Sequence, residues 1–399
     1  MDKESVKKLV TTFNTDAVVE LTQQMVRIPS VVIPGEEAKM SAFVESYMNA
    51  CDIPAEARSI DGIDPSRKNV IAVLKGSGEA APLAFSGHMD VVPVSDKERE
   101  KWDYDPFGGE ITDEGFMYGR GSSDMKGGLA GAMTAMKFLK DNDIVPPGDI
   151  ILCASVDEED LMRGVKAMLN YPELQNVKGV VVCEGTGLKL SVASRGRTWA
   201  DVTFEGESAH ASLKGAGNNA IVYGADFINR LYDHEIPYEP HELLGDYFWQ
   251  ANVVHGGVEP AIVPDHCTIT VDARLIPGIT SDHVWSEVQN ILDQMHAENE
   301  KCVAHINILE AREPWETDLN SSLYHLAKDS YGLVGIEMKH RGQTGTTDGT
   351  YLRRLGMESV ILGPGQTEYI HKANEKVLIE NLRNAARLYL TMMLSNSLK

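Results

Sequence analysis

The sequence predicts an α/β protein with a mainly parallel sheet and a smaller domain inserted into the chain. Short apolar runs rich in Val and Ile alternate with amphipathic helical segments up to about residue 192, which is typical of a parallel sheet covered on both faces. The pattern changes near residue 193 and returns near residue 318. With 399 residues, the chain also exceeds the size at which one hydrophobic core stops growing.

The first α/β segment alternates strands and helices. Buried strands are predicted at 69–76, 82–90, 149–160 and 178–185, and helices at 16–28, 36–51, 127–141 and 163–170. After residue 318 the pattern resumes with a helix at 320–331, a strand at 358–362 and a helix at 375–394.

The stretch RTWADVTFEGE (197–207) alternates apolar and polar residues, as a half-buried strand does. The order that follows is helix 219–233, strands 249–256 and 266–274, helix 282–298 and strand 302–310. This βαββαβ order is that of a ferredoxin-like unit with one open sheet face. We therefore expect one domain made of residues 1–192 and 312–399, and a second made of residues 193–311.

Composition excludes several classes of function. The formal net charge of −22 would repel nucleic acid and anionic membranes. No run approaches the ~18 apolar residues of a membrane helix, and the polar N-terminus lacks the apolar core of a signal peptide. The five Cys form no CxxC pair, which argues against a disulfide framework or a zinc knuckle. We expect a cytoplasmic protein without nucleic-acid or membrane partners.

Acidic and histidine residues recur where the predicted strands end, and the acidic residue of YGRGSSD stands just before a helix. The candidates are His88, Asp90, Asp124, Asp157, Glu158, Glu159, Glu184 and His371. Ligands of open α/β sheets bind beyond the carboxyl ends of the strands. A lone histidine there is usually a satisfied polar residue, and a DEE run is usually a solvated turn. Five such places at one edge favour a shared site.

So much negative charge in one place requires cations. Mixed histidine and carboxylate ligands suit zinc or another first-row divalent ion, and the lack of Cys ligands argues against a closed structural zinc site. An extra carboxylate beside a metal suits a general base acting on metal-bound water. The chain has no GxSxG elbow and no GxxxxGK[ST] loop. Asp124 would repel a pyrophosphate, so we expect no nucleotide cofactor.

A set of motifs in a fixed order covers nearly the whole chain. The set comprises VRIPS (26–30), SGHMDVVP (86–93), YGRGSSDMKGG (118–128), DEE (157–159), CEG (183–185), GESAHAS (206–212), VPD (263–265), TGTTDG (344–349) and GPG with HKANE (363–375). With these motifs the chain resembles the aminoacylase, acetylornithine deacetylase and succinyl-diaminopimelate desuccinylase family of dinuclear zinc hydrolases, which also includes carboxypeptidases and dipeptidases. The resemblance implies a catalytic α/β domain with an inserted lid and dimerisation domain.

The resemblance also implies two Zn²⁺ per chain, with Co²⁺ or Mn²⁺ as substitutes. It implies a metal-bridging Asp124, one pair of ligands in His88 and Glu184, and a second pair in Glu159 and His371.

Two further residues receive catalytic roles from the resemblance. Glu158 would be the general base, taking a proton from a metal-bridging water and passing it to the leaving amine. Asp90 would hold the imidazole of His88 through its second nitrogen. The family also has a cis peptide bond after the bridging aspartate, here Asp124–Met125.

The resemblance also assigns roles in the inserted domain. His210 matches a lid histidine that stabilises the oxyanion in the partner's active site, which implies a homodimer through this domain. Arg274 matches a position that binds the substrate carboxylate, a task suited to a bidentate guanidinium, although a surface ion pair explains it equally well. Thr346 is a further candidate for the substrate pocket.

Gly363 and Gly365 would let the backbone approach the substrate closely.

Four positions depart from the family pattern. Ala261 stands where a lid Asn is common, Lys214 where a Pro is usual, and Gly185 where deacetylases often have Pro. Thr350 stands where diaminopimelate desuccinylases carry an Arg, which argues against succinyl-diaminopimelate as substrate. The metal ligands are complete, so these departures affect the identity of the substrate only.

The sequence therefore predicts a metal-dependent amidohydrolase that cleaves the amide bond of an N-acyl amino acid. A dipeptidase or carboxypeptidase with the same metal centre is the nearest alternative. A non-catalytic metal-binding protein on this scaffold is a remote one, because both ligand sets and Glu158 are intact.

Overall fold

The α/β pattern forms a nine-stranded sheet with helices packed against it in a computed structural model that describes residues 1–399. The α-helices are α1 Lys3–Thr12, α2 Asp16–Val26, α3 Ala38–Ala50, α4 Asp96–Arg99, α5 Gly127–Asp141, α6 Arg163–Met168, α7 Ala220–Asp233, α8 Ser281–Glu298, α9 Ser322–Val334, α10 Gly349–Leu352 and α11 Ile379–Leu394. The strands are β1 Ala55–Ser59, β2 Lys68–Leu74, β3 Leu83–His88, β4 Glu110–Ile111, β5 Phe116–Tyr118, β6 Ile150–Ser155, β7 Gly179–Val182, β8 Leu190–Ser194, β9 Gly196–Glu205, β10 Phe248–Gly256, β11 His266–Leu275, β12 Val303–Arg312, β13 Trp315–Glu316, β14 His340–Gln343, β15 Glu358–Ile361 and β16 Lys376–Leu378.

The large sheet has the order β1-β2-β6-β3-β7-β15-β8-β13, and β14 pairs with β8. Its four central strands, β6, β3, β7 and β15, are parallel, whereas β1, β2, β8 and β13 pair antiparallel. Every residue of β3, β6 and β7 is buried. Strands that are buried along their whole length read as continuous apolar runs, and the predicted α/β fold with a mainly parallel sheet is confirmed.

Helix α5, which begins three residues after the candidate ligand Asp124, packs against the large sheet. It packs on β3 and β6 and also contacts α2 and α11. Gly128, in its first turn, has no room for a side chain, because a Cβ there would lie 1.9 Å from the carbonyl oxygen of Cys183. This close approach brings the N-terminal end of α5, which follows Asp124, against the end of β7, which precedes Glu184.

The chain divides into two units, of which the second comprises Ala193–Glu316 and Gly342–Thr346. Its four-stranded antiparallel sheet has the order β10-β11-β9-β12, and its elements follow the predicted βαββαβ order. Alternate residues of β9 enter a core with α7 and α8, as Phe204 does against Phe227 at 5.5 Å between ring centroids. The unit extends beyond the predicted 193–311 by residues 312–316 and 342–346. The second of these segments is joined to it where the Arg195 N–H donates to the Gln343 carbonyl.

Several elements are absent from the sequence prediction. Helix α1 is polar overall, and only Val6 and Val10 are buried on it. The sheet β16-β5-β4 and the strands β13 and β14 are two to four residues long, too short to show a hydrophobic period. None of the eleven helices is both long enough and apolar enough to cross a membrane.

Candidate metal centre

The candidate ligands lie at the carboxyl edge of the central parallel strands. His88 is the last residue of β3, Glu158 and Glu159 follow β6, and Glu184 lies two residues beyond β7. Asp124 lies in the turn Ser122–Lys126, directly before α5, and its own backbone is not helical, with φ of −128° and ψ of 91°. His371 lies in the segment after β15 and has a left-handed backbone, with φ of 58°.

Asp124 lies between the two histidines. Its Oδ1 is 3.1 Å from Nε2 of His88, and its Oδ2 is 3.2 Å from Nε2 of His371. One carboxylate thus presents one oxygen to each imidazole, which is the arrangement expected of a ligand that bridges two metals. The Asp124–Met125 peptide bond is cis, as the resemblance implies.

Each imidazole has a glutamate of its own. Oε1 of Glu184 lies 3.4 Å from Nε2 of His88, and Oε2 of Glu159 lies 2.9 Å from Nε2 of His371. Ligand atoms of His88, Asp124 and Glu159 lie within 4.8 Å of one another, and so do those of His88, Glu158 and Glu184. No Lys or Arg forms an ion pair with these ligands, so the donor set fits two divalent cations.

The protonation of the cluster supports this fit. Burial, with repulsion from Asp124, raises the pKa of both Glu159 and Glu184 to about 7. Hydrogen bonds to Asp124 and Glu159 raise the pKa of His371 to about 10. Burial alone would raise the pKa of Asp124, but hydrogen bonds from His371 and His88 hold it below its usual value. The cluster therefore stores protons that a divalent cation would displace on binding.

Glu158 differs from the other acidic residues of the centre because its carboxylate makes no hydrogen bond or ion pair within the protein. The residue is 8% exposed. Burial, opposed by His88 and reinforced by the charges of Glu184 and Asp348, raises the pKa of Glu158 well above its usual value. A buried carboxylate with raised proton affinity and no partner is suited to general-base work.

Asp90 orients His88 through its backbone carbonyl rather than through its carboxylate. Its backbone carbonyl accepts a hydrogen bond from Nδ1 of His88 at 2.9 Å, whereas its carboxylate Oδ1 lies 3.7 Å from that nitrogen. The carboxylate instead accepts the backbone N–H groups of Glu158 and Glu159 at 3.2 and 3.0 Å. With Nδ1 donating to the carbonyl, Nε2 is the nitrogen left for a metal.

Asp157 supports the DEE turn from within the protein. Its backbone is left-handed, with φ of 66°, and its carboxylate is fully buried. It accepts hydrogen bonds from Arg67 Nη2 at 2.8 Å and from Arg163 Nη2 at 2.6 Å. The three consecutive acidic residues therefore have separate environments: Asp157 anchors the turn, while Glu158 and Glu159 face the centre.

Sequence reasoning missed Glu375, the last residue of the HKANE motif. Its fully buried carboxylate accepts three backbone N–H groups through Oε1, from Gly121 at 3.0 Å, Ser123 at 3.0 Å and Asp124 at 3.1 Å. Its Oε2 accepts from Arg120 Nη1 at 2.7 Å. Glu375 thus holds the turn that carries the bridging aspartate. The only signal for it in the sequence is an acidic residue in the same short motif as the candidate ligand His371.

The two glycines of GPG lie against the backbone of the ligand segments. A Cβ on Gly363 would be 2.3 Å from the carbonyl oxygen of Glu184, and one on Gly365 would be 2.0 Å from that of Ser123. Packing alone therefore requires glycine at both positions. Their contact with substrate stays a prediction.

The remaining predicted site residues lie in the second unit. His210 is exposed, and its Nδ1 accepts the backbone N–H of Ser212 at 3.2 Å. Arg274 forms the ion pair that the sequence left open, with Nη2 at 3.0 Å from Oδ2 of Asp272. Thr346 accepts a hydrogen bond from Arg312 Nη1 at 3.2 Å. The roles predicted for His210, Arg274 and Thr346 stay predictions.

Comparison with known proteins gives a consistent picture. Residues 84–395 match the model of Peptidase family M20/M25/M40. A probable succinyl-diaminopimelate desuccinylase from Staphylococcus aureus is 27% identical and is aligned over 94% of this chain and 98% of its own length. A tripeptidase from S. aureus has a similar structure, with a TM-score of 0.77, 21% identity, and coverage of 96% of this chain and 98% of its own. A dinuclear metal-binding peptidase of the M20 family from Bacillus subtilis gives a TM-score of 0.73 at 14% identity, covering 95% and 97%.

Proposed function

The chain belongs to Peptidase family M20/M25/M40, and from this premise we propose that it is a dinuclear metalloenzyme that hydrolyses the amide bond of an N-acyl amino acid. It is a hydrolase of a family that acts on amide bonds. The observation that carries the proposal is the Asp124 carboxylate between two imidazoles, with the partner-free Glu158 beside them.

The ligands of the centre fall into two sets that share Asp124. His88 and Glu184 would hold one ion, His371 and Glu159 the other, and Asp124 both; zinc suits this donor set, with Co²⁺ or Mn²⁺ as substitutes. Bound divalent ions supply Lewis acidity and make a water acidic near neutral pH.

Glu158 takes a proton from the attacking water and returns it to the leaving amine nitrogen. Asp90 hydrogen-bonds both the ring of His88 and the backbone N–H of Glu158. It therefore holds the general base Glu158 and the metal ligand His88 in a fixed position relative to each other. Burial of the centre strengthens each of these electrostatic contacts.

The nearest competing function is cleavage of short peptides by the same machinery. It is favoured by the peptidase names of the S. aureus and B. subtilis structural neighbours, whereas the S. aureus sequence relative is named a probable succinyl-diaminopimelate desuccinylase. Glu184 as the second carboxylate ligand leans towards a deacylase by family resemblance, and Thr350 argues against succinyl-diaminopimelate itself. A small-molecule substrate is common to both functions, and the cytoplasmic location stays a prediction.

A substrate panel on zinc-loaded protein separates these functions. N-acetyl and N-succinyl amino acids are compared with dipeptides of the same residues, and release of free amino acid is measured. We expect turnover of acyl amino acids above that of dipeptides. Turnover of dipeptides alone would assign the chain to the peptidases, and no turnover of either class would contradict an amidohydrolase.

The proposal includes a homodimer through the second unit, with His210 acting in the partner's site. Apolar residues that are exposed on adjacent elements support it: Val222 on α7 is 60% exposed, and Val254 on the edge strand β10 is 52% exposed. Exposed apolar patches and open sheet edges mark association surfaces. Mixing His210→Ala chains with Glu158→Ala chains should restore part of the activity through hybrid dimers, and no recovery would contradict the role in trans.

A further inference from the structure

A lysine of the first unit lies among three aromatic rings beside the small sheet β16-β5-β4. The ammonium nitrogen of Lys376 is 4.6 Å from the ring centroid of Phe116, 4.9 Å from that of Tyr118 and 5.0 Å from that of Tyr369. It also donates a hydrogen bond to the Tyr118 hydroxyl at 3.0 Å, and it forms no ion pair with a carboxylate. In a chain with 59 acidic residues, an ammonium group that has rings instead of a carboxylate for partners requires an explanation.

Two of the three rings are placed by strand pairing. Lys376 on β16 lies directly opposite Tyr118 on β5, and Phe116 is two residues earlier on β5. Side chains two residues apart on a strand point to the same face of the sheet, so the lysine and both rings share one face. Val377 and Met117, which pair with each other, are buried on the opposite face. The contacts of Lys376 with Phe116 and Tyr118 therefore belong to the small sheet itself.

The third ring comes from the segment that carries a metal-ligand candidate. Tyr369 stands two residues before His371, and its ring meets that of Phe116 edge-on, with centroids 6.5 Å apart and planes at 84°. A cation is attracted to the faces of aromatic rings. Because Lys376 contacts a ring of this segment and two rings of β5, it joins the segment to the small sheet.

The two histidines of the centre differ in how the protein holds them. The side chain of His88 is 1% exposed, and its Nδ1 donates to the backbone carbonyl of Asp90. The side chain of His371 is 48% exposed, and its Nδ1 forms no hydrogen bond with the protein. The position of the His371 imidazole therefore depends on how its segment of backbone is held.

We propose that Lys376 is a positioning residue of the metal centre, which holds the segment of Tyr369 and His371 on β5 and thereby fixes the His371 imidazole. Groups that orient a ligand raise the affinity for the metal. The charge of Lys376 would by itself repel a divalent cation, so charge and positioning predict opposite effects on metal affinity. The proposal rests on His371 as a ligand, and the use of the centre for hydrolysis rests on the function proposed above.

The first test is a zinc titration of metal-free variants by calorimetry. In Lys376→Gln, which removes the ammonium group, one of the two zinc affinities should fall about ten-fold, as it does when the support of a ligand is lost. The other zinc affinity should be unchanged. Lys376→Arg keeps a cation that stacks on aromatic rings, and its affinities should be close to those of the wild-type protein.

The matched control is Lys372→Gln. Lys372 is the residue after His371, is exposed, and donates through Nζ to the backbone carbonyl of Glu368. This variant removes the same charge from the same segment but leaves the three rings and their cation in place. Its zinc affinities should be equal to those of the wild-type protein or higher, because one repulsive charge is lost.

The second test is amide hydrogen exchange of the metal-free protein, followed by mass spectrometry. Residues 366–374 should exchange faster in Lys376→Gln than in the wild-type protein or in Lys372→Gln, whereas exchange in β6 and β7 should be the same in all three. Faster exchange in β6 and β7 as well would show a general loss of stability and would overturn the proposal.

Three other results would also overturn it: unchanged exchange and zinc affinities in Lys376→Gln, an equal fall in zinc affinity in Lys372→Gln, and a fall in Lys376→Arg as large as that in Lys376→Gln. Neither test requires turnover. Failure here therefore leaves the proposed hydrolysis standing, and a wild-type protein without turnover leaves the positioning of His371 standing.

Discussion

Replacing Glu375 by alanine should release the turn that carries the bridging Asp124. The carboxylate accepts three backbone N–H groups and one N–H of Arg120 in a fully buried place. Hydrogen bonds to charged groups contribute about 1.5–3 kcal/mol each, so four of them would sum to more than about 6 kcal/mol. Arg120 keeps its second partner, Glu98, at 2.5 Å, and water can enter the vacated space. We therefore expect the free energy of unfolding to fall by less than this sum, by about 3–5 kcal/mol, which is typical of breaking a buried ion pair.

The assay for Glu375→Ala is thermal unfolding of the metal-free protein together with a zinc titration. The loss corresponds to a fall in Tm of roughly 5–15 °C for a unit of this size. Zinc affinity should fall about 10- to 100-fold, as it does when the support of a ligand is removed. Glu375→Gln keeps an oxygen for the three N–H groups and should be intermediate. The control is Glu368→Ala, an exposed glutamate of the same segment. A Tm and a zinc affinity equal to those of this control would refute the reasoning.

Two further predictions concern the protons and the glycines. In metal-free protein the raised pKa of Glu159 and Glu184 gives a stability contribution that is complete below pH 4.5 and is lost as the pH rises through about 7. Over the same pH range zinc affinity should rise, and zinc binding should release protons, which calorimetry in two buffers measures. Stability that is flat or rising from pH 5 to 8, together with no release of protons, would contradict this prediction. Gly365→Ala should lower both stability and zinc affinity, because its Cβ would lie 2.0 Å from a backbone oxygen. Gly332→Ala, inside α9 with no atom within 4 Å, should raise stability by about 0.5–1 kcal/mol; equal effects in the two alanine variants would show that the packing argument is wrong.

The sequence predicts the parallel strands and the ligands at their ends because both depend on local patterns. Buried strands appear in the sequence as continuous apolar runs, and His88 and Glu184 are the polar residues that stand where two of those runs end. The role of Glu375 depends on three N–H groups about 250 positions earlier in the chain, and no local pattern records such a meeting. The separate environment of Asp157 likewise depends on its left-handed backbone and on hydrogen bonds from Arg67 and Arg163, which the DEE run does not reveal.

The register of the second unit's sheet is a similar case. Arg197, Arg274 and Arg312 are far apart in sequence, and only the pairing of β11, β9 and β12 brings them into one row. Register depends on turns and on packing against α7 and α8. From the sequence, a substrate-carboxylate contact and a surface ion pair explain Arg274 equally well; the structure shows its ion pair with Asp272, and its role towards substrate stays a prediction.

The measurement that tests the central claim most directly is the metal content and turnover of Glu158→Gln beside the wild-type protein. Both proteins are saturated with zinc, freed of excess, and assayed on the best acyl amino acid of the panel. The account predicts two zinc ions per chain in both proteins and turnover lower by about 10²- to 10⁴-fold in the variant. One ion or none per wild-type chain, or unchanged turnover in Glu158→Gln, would contradict a dinuclear centre with Glu158 as its base.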